Sequence, residues 1–241
     1  TAYFNPALFS PQQKKEIRQQ WQLEEDDFVW IFVGRLVKDK GINELVAAFR
    51  QLTEEFNDSE NKNSSVANIR KRAPKLLLVG PLEPELDPLL SETLREIEHN
   101  KNILTVGYQK DVRPYLAAAD ALVFPSYREG FPNVVMQAGA MELPSIVTDI
   151  NGCNEIIKNN ENGMIISSRK MGCEMAMITN KINYALVMEN MPNSFEPIKI
   201  YDDLKNLDQD TAQYDKMEFK SFLVNNNFIN PEDNIDNLQI T

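Results

Sequence analysis

Two short stretches hold the side chains best suited to chemistry. The first, Gly34-Arg35-Leu36-Val37-Lys38-Asp39-Lys40-Gly41, places two permanent cations, Arg35 and Lys40, in one turn. Arginine forks onto two oxygens and lysine acts as a point charge, so the pair suits a diphosphate. A solvated basic turn is the bland alternative. The second stretch is Ser126-Tyr127-Arg128-Glu129-Gly130-Phe131-Pro132-Asn133. Gly130 permits an unusual turn, and a helix predicted from Asn133 offers unpaired N–H groups, which favour anions. Glu129 is itself an anion, so it suits sugar hydroxyls better than phosphate; an ordinary helix cap is the competing reading. Gln137, inside that helix, could present an amide to ribose hydroxyls, although taken alone it reads as a packing residue. Gly152-Cys153-Asn154-Glu155 opens the next helix and could face the same crevice.

Other chemistries find little support. The single histidine, His99, falls near the end of an amphipathic segment and reads as solvent-facing. Cys153 has no nearby histidine, and no metal-ligand spacing occurs, so neither thiol catalysis nor a metal site is expected. No G-x-G-x-x-G follows the first strand, which weighs against a dinucleotide oxidoreductase. The net charge of −11 argues against a nucleic-acid partner.

The elements that must position these residues follow from hydrophobic patterning. Phe28-Val29-Trp30-Ile31-Phe32-Val33 is a continuous apolar run, as expected of a strand covered on both faces. Ile42, Leu45, Val46, Phe49, Leu52 and Phe56 recur at helical spacing. Ser10-Pro11-Gln12-Gln13 reads as a capped helix start, with Gln13 closing a capping box and the helix running to about Trp21. Further strands are predicted at 75–79, 103–106, 121–124, 145–148 and 164–166. Helices are predicted at 88–98, at 111–119 with Asp111 as N-cap, at 133–141 and at 154–158. Six strands alternating with helices imply an α/β fold with one doubly wound parallel sheet, whose ligands bind at the carboxyl ends of the strands. Residues 57–72 are polar and read as a surface loop.

The 241 residues, 42% of them apolar, suffice for one sizeable core plus an appendage. Residues 1–170 hold 20 Lys/Arg and 24 Asp/Glu, whereas residues 171–241 hold 5 and 12. That shift, and the end of the alternation, predict a domain over 1–168 and an acidic, atypical C-terminal tail over 169–241. A helix over 174–190 is the one element suggested there. The two cysteines fit a reducing, cytoplasmic setting. The chain starts at Thr1 rather than Met, so it is expected to be a piece of a longer protein.

Together these stretches resemble the C-terminal, donor-binding domain of family 4 retaining glycosyltransferases, the Rossmann-like half of a GT-B fold. The resemblance rests on Val33-Gly34-Arg35 through Lys40-Gly41, Leu78-Val79-Gly80, Val106-Gly107-Tyr108 and Ala119 through Ser126. Its densest part is Arg128-Glu129-Gly130-Phe131-Pro132-Asn133-Val134-Val135-Met136-Gln137-Ala138. Leu143-Pro144 and Asn151 through Ile157 complete it. The wording is most similar to Bacteroides-type capsule or lipopolysaccharide glycosyltransferases.

The resemblance implies roles. Arg35 and Lys40 would hold the donor diphosphate and stabilise the leaving group, and Glu129 would touch the donor sugar. Gly34 and Gly130 would shape the donor loops, and Phe131 and Asn133 would lend backbone N–H groups. Tyr108 and Gln109 would border the base. Gln137 stands where the family usually has a second Glu. Glu142 stands where Gly commonly precedes Leu-Pro, and would be strained if that position needs positive φ.

The implied reaction moves a hexose from a UDP- or GDP-linked donor to a glycan or lipid-linked acceptor, with no cofactor and no metal. The acceptor would bind an N-terminal domain outside this chain, with peripheral association at the inner face of a membrane. A non-catalytic nucleotide-sugar-binding remnant and a GT-B type sugar-nucleotide epimerase remain the alternatives.

Overall fold

Six strands form one parallel sheet in the computed structural model, which describes residues 3–61, 72–159, 161–167, 170–172 and 175. The strands are β1 (Phe28–Val33), β2 (Pro74–Val79), β3 (Ile103–Gly107), β4 (Ala121–Phe124), β5 (Ser145–Thr148) and β6 (Gly163–Ile166). The helices are α1 (Pro11–Gln20), α2 (Ile42–Asn61), α3 (Ser91–His99), α4 (Arg113–Ala118), α5 (Asn133–Ala140) and α6 (Cys153–Ile156). The sheet order is β3-β2-β1-β4-β5-β6, and every pairing is parallel. The chain winds outward from β1 in one direction, then returns to its other side at β4. The crevice where ligands bind in such sheets opens at that reversal.

Apolar continuity explains why these segments pair. Phe28, Trp30, Ile31, Phe32, Leu76, Leu77, Leu78 and Leu122 are fully buried. Each such side chain contributes about 1.5–3 kcal/mol relative to exposure. Ile42, Leu45, Phe49 and Leu52 of α2 are buried as their spacing predicts. At the amino ends of the strands, Asp120 accepts from the N–H of Val29 at 2.8 Å and pairs with Arg72 at 2.9 Å and Arg18 at 3.5 Å. Arg18 also donates to the carbonyls of Ala118 and Asp27. This cluster fastens α1 to the edge of the sheet opposite the crevice.

Local signals are realised with small offsets. Ser10 caps α1 in a full capping box with Gln13. The helix expected from Pro88 begins at Ser91, because Asn43 of α2 takes the N–H of Leu90 at 3.0 Å and the chain before it is not helical. Asp111 does accept a helix-start N–H, that of Arg113, but Val112 occupies the cap position. The expected strand at 164–166 starts one residue earlier, at Gly163.

The packing divides the chain into two units: residues 1–56 with 72–179, and residues 57–71 with 180–241. Most of the second unit lies outside the described residues, as do the expected helix at 174–190 and the fold of the acidic tail. Within the first unit burial continues past Lys170, since Met171 and Met175 are both buried.

Among the described residues two non-glycine positions, Gln22 at φ 55° and Glu142 at φ 63°, take the left-handed backbone. Helix α5 ends in a Schellman motif, in which Leu143 N–H meets Ala138 O and Glu142 N–H meets Gly139 O, each at 3.0 Å. Glu142 occupies the left-handed position at φ 63°, where Gly is usual. Replacing Glu142 with Gly relieves the Cβ penalty and adds unfolded-state entropy. The expected net effect is a gain of about 0.5–1 kcal/mol in unfolding free energy, read as a higher urea midpoint; an unchanged or lower midpoint contradicts the strain.

Candidate functional site

Both chemistry-bearing stretches leave the sheet at the reversal, one from β1 and one from β4. After β1, Leu36 and Val37 are buried and anchor the loop, leaving Arg35 exposed between them and Gly34. The Arg35 guanidinium pairs with Glu83, from the loop after β2, at 3.2 Å. A single 3-10 turn, Lys38–Lys40, then brings Lys40 inward. That turn closes at Gly41, where φ is 70° and a Cβ would lie 2.2 Å from the Pro125 carbonyl oxygen. Only glycine lets the β1 loop lie this close to the end of β4.

The two loops are stitched together. The N–H of Tyr127 donates to Asp39 O at 3.0 Å, and the Asp39 N–H donates to the Asp87 carboxylate at 2.6 Å. Arg128 reaches the Asp39 carboxylate at 3.6 Å. The Lys40 ammonium forms an ion pair with Oε1 of Glu129, and the two side chains are only 14% and 18% exposed. The same oxygen accepts from the fully buried Ser126 hydroxyl at 2.9 Å.

From the other side, Gly152 (φ 80°) packs so close that a Cβ there would lie 2.3 Å from the Gly130 carbonyl oxygen. The 152–155 segment does open a helix, α6, and its first residue packs against the loop that carries Glu129. Helix α5 starts at Asn133, with Pro132 in the cap position and no side-chain cap. Among the described residues the N–H groups of Phe131 and Asn133 find no backbone acceptor, so they remain open to a ligand. Phe131 is exposed, and Gln137 is half-buried one turn into the helix. Tyr108 and Gln109 follow β3, at the same carboxyl edge but on the outer strand of that half of the sheet. Tyr108 is 73% exposed, while the Gln109 amide donates to Val106 O at 2.7 Å.

The structure brings Lys40 against Glu129 at the reversal, with Gly130, Phe131 and Asn133 following in the same loop and Gln137 in the adjoining helix; Gly34 and Arg35 leave β1 beside them, but Arg35 turns to Glu83 on the β2 side. The structure leaves Tyr108 and Gln109 two strands away from β1. Sequence reasoning named Ser126 within the second stretch without giving it a role, and missed Glu83 and Thr148. Glu83 meets Arg35 only through the parallel pairing of β1 and β2, which no local pattern encodes. Ser126 lies two residues beyond β4 and Thr148 is the last residue of β5, and neither identity is unusual at such a place.

Cys153 lies buried behind this cluster. Burial, with the nearby Glu129 carboxylate, pushes its thiol up to about 11, partly offset by Lys40. The thiol stays neutral near pH 7, consistent with a packing role.

Chemically, the reversal offers cations at the end of β1, open N–H groups at the start of α5, and a carboxylate between them. The fold is a doubly wound, Rossmann-like α/β domain, of the kind that forms one half of a GT-B architecture. The family described as Glycosyl transferases group 1 matches residues 13–199, and the chain belongs to it.

CapM of Staphylococcus aureus, a capsular polysaccharide biosynthesis glycosyltransferase, is 30% identical over 194 residues, 77% of this chain and 47% of its own length. An Escherichia coli UDP-Gal:alpha-D-GlcNAc-diphosphoundecaprenol alpha-1,3-galactosyltransferase is 26% identical over 211 residues, 85% of this chain and 50% of its own. HepE of Anabaena, crystallised with UDP and glucose, shares the fold with a TM-score of 0.58 at 21% identity, over 73% of this chain and 44% of that one. WaaG, a glycosyltransferase involved in lipopolysaccharide biosynthesis, likewise gives 0.58 at 20% identity, over 73% and 44%. The chain spans about half the length of the curated relatives it matches. Among the described residues no helix is long and apolar enough to cross a membrane.

The thiol gives a stability prediction with a definite sign. The ordinary value of 9.0 applies in the unfolded chain and about 11 in the folded one. A raised folded pKa contributes stability that is present below the unfolded value and is lost as pH climbs through the folded value. Unfolding free energy should therefore fall between about pH 9 and 11, and Cys153→Ala should remove part of that fall. Identical alkaline slopes in wild type and variant, followed by urea denaturation, refute the assignment.

Proposed function

We propose that this domain binds a nucleoside-diphosphate sugar and serves as the donor half of a retaining hexosyltransferase. The observation that carries the reading is the placement of Arg35 and Lys40 in the loop after β1, at the reversal, with Lys40 paired to Glu129 in the loop that leads into α5. Arg35 and Lys40 hold the diphosphate and neutralise the charge that builds on the leaving nucleoside diphosphate. Well-placed groups of this kind lower a barrier by about 3–4 kcal/mol. Glu129 accepts hydrogen bonds from the donor sugar, Gln137 from ribose, and Tyr108 and Gln109 border the base. Gly34 and Gly130 keep the backbone close to the donor, and Phe131 and Asn133 donate N–H groups to it. No cofactor or metal is invoked.

The HepE complexes with UDP and glucose or with UDP-glucose support a uridine donor in this fold. The alpha-1,3 linkage in the name of the E. coli relative supports retention, the outcome expected from an α-linked donor. The acceptor is a glycan or a lipid-linked glycan, held by an N-terminal half of the kind that the longer relatives have room for. Work at the cytoplasmic face of a membrane, on capsule or lipopolysaccharide of the Bacteroides type, completes the proposal. In this reading the acidic C-terminal segment takes no part in donor binding.

Calorimetry with UDP and GDP tests the core of the reading. Replacing Arg35 and Lys40 together with Ala should weaken the preferred nucleotide by about 2–4 kcal/mol, since charged hydrogen bonds contribute about 1.5–3 each and Arg35 is half exposed. Unchanged affinity in the double variant refutes it.

A companion test uses Glu129→Ala, which removes the sugar contact and frees Lys40. Binding of free nucleoside diphosphate should hold or tighten, whereas the intact sugar nucleotide loses about tenfold, in line with one charged hydrogen bond. Gln137→Glu should bind as well as wild type or better. Equal losses for both ligands in Glu129→Ala remove the sugar-contact role.

A further inference from the structure

Glu129 is the acid that the donor reading places against the sugar, and its geometry depends on a residue outside that reading. Oε1 already accepts from both Lys40 and the Ser126 hydroxyl. With that oxygen occupied twice, Oε2 is the one left to meet a ligand. Ser126 is fully buried and therefore cannot itself reach a donor. Its hydroxyl has one proton and three oxygens in reach: Glu129 Oε1 at 2.9 Å, Arg128 O at 3.2 Å and Asp39 O at 3.5 Å. The carboxylate is both the nearest and the charged acceptor, so the proton goes there.

Ser126 is in turn held. The Thr148 hydroxyl, at the end of β5, donates to the Ser126 carbonyl oxygen. On one side Tyr127 N–H grips Asp39 O, and on the other Gly152 packs against the Gly130 carbonyl. The loop is therefore pinned from the ends of β1 and β5 at once, with Ser126 as its internal tie to Glu129.

We propose that Ser126 is a positioning residue, backed by Thr148, which fixes the Glu129 carboxylate so that Oε2 faces the donor sugar while Oε1 stays with Lys40. The inference rests on the donor-site reading above. It assigns Ser126 to recognition of the sugar and not of the diphosphate. Losing the hydroxyl lets the carboxylate turn about its terminal bond and follow Lys40, so the sugar contact fails while the phosphate contacts survive.

The test is calorimetry on the whole chain with UDP, GDP, UDP-glucose, UDP-galactose and GDP-mannose, with thermal melting alongside. The readout is the ratio of sugar-nucleotide affinity to free-nucleotide affinity. Ser126→Ala should lower that ratio about three- to tenfold and leave free-nucleotide affinity within about twofold, as expected for one hydrogen bond to a charged group. Thr148→Val, which releases the backbone of the same loop, should shift the ratio in the same direction by less. In a Glu129→Ala background, Ser126→Ala should have no further effect on the ratio, because its acceptor is gone.

Equal weakening of both ligand types, with a lower melting temperature, makes Ser126 merely structural and overturns the proposal. An undiminished effect of Ser126→Ala without Glu129 overturns it as well. If free nucleotides bind but no sugar nucleotide binds differently, the proposed sugar contact is wrong and the positioning role falls, while the diphosphate site stands. If neither UDP nor GDP binds the wild type, the donor-site reading itself fails and takes the inference with it.

Discussion

An ammonium and a carboxylate, both mostly shielded from water, lie where two halves of a parallel sheet diverge. The Lys40–Glu129 pair joins the loop after β1 to the loop after β4, and these two strands are neighbours only because the winding reverses between them. Burying either charge alone would be costly, and removing one partner leaves the other uncompensated. The pair therefore demands that both loops keep their geometry. Gly41 allows the approach, Ser126 completes the solvation of the carboxylate, and the Tyr127–Asp39 hydrogen bond sets the spacing. Lysine has three N–H groups, so pairing with one carboxylate oxygen does not exhaust it. A phosphate can join Lys40 without first displacing Glu129.

The opposite edge of the sheet uses the same materials for a different end. Asp120 gathers Arg18, Arg72 and the N–H of Val29, while the arginines also satisfy backbone carbonyls. Every partner there is supplied by the chain. At the crevice, by contrast, among the described residues the N–H groups of Phe131 and Asn133 have no backbone acceptor, and Arg35 pairs with one carboxylate, that of Glu83. Exposed pairs of that kind contribute little, about 0–1 kcal/mol, so Arg35 can trade Glu83 for a ligand at small cost. The contrast separates a fastening from the place where the proposed donor site would lie.

The sequence was legible where the physics is local. Apolar continuity in residues 28–33 and helical spacing from Ile42 to Phe56 marked elements that the fold realises, and Ser10 to Gln13 marked a real capping box. Strand alternation, together with the rule that parallel crossovers are right-handed, was enough to expect the doubly wound sheet. Legibility failed where contacts cross strands. The link from Asn43 to Leu90 delayed α3, and the approach of Glu83 to Arg35 depends on register between β1 and β2. Neither leaves a mark in a window of neighbouring residues. Ser126 was visible as a letter in a motif, but its meaning lies in a single proton shared out among three oxygens that the fold assembles.

Glu142 shows how the two kinds of information interlock. From sequence, it is a departure from a glycine expected before Leu-Pro; from structure, it is a Schellman position held at φ 63°. The strain is tolerated because the surroundings over-determine the turn. Met141 is buried at the end of α5, Leu143 is buried just beyond it, and Pro144 leads directly into β5, whose last residue is Thr148. The turn cannot relax without shifting the strand that holds Ser126. A strained side chain thus precedes, by one short strand, the Thr148 hydroxyl that holds the loop carrying Glu129. Strand β5 therefore bears on the carboxylate at one remove, since the Thr148 hydroxyl holds the Ser126 carbonyl and the Ser126 hydroxyl meets Glu129.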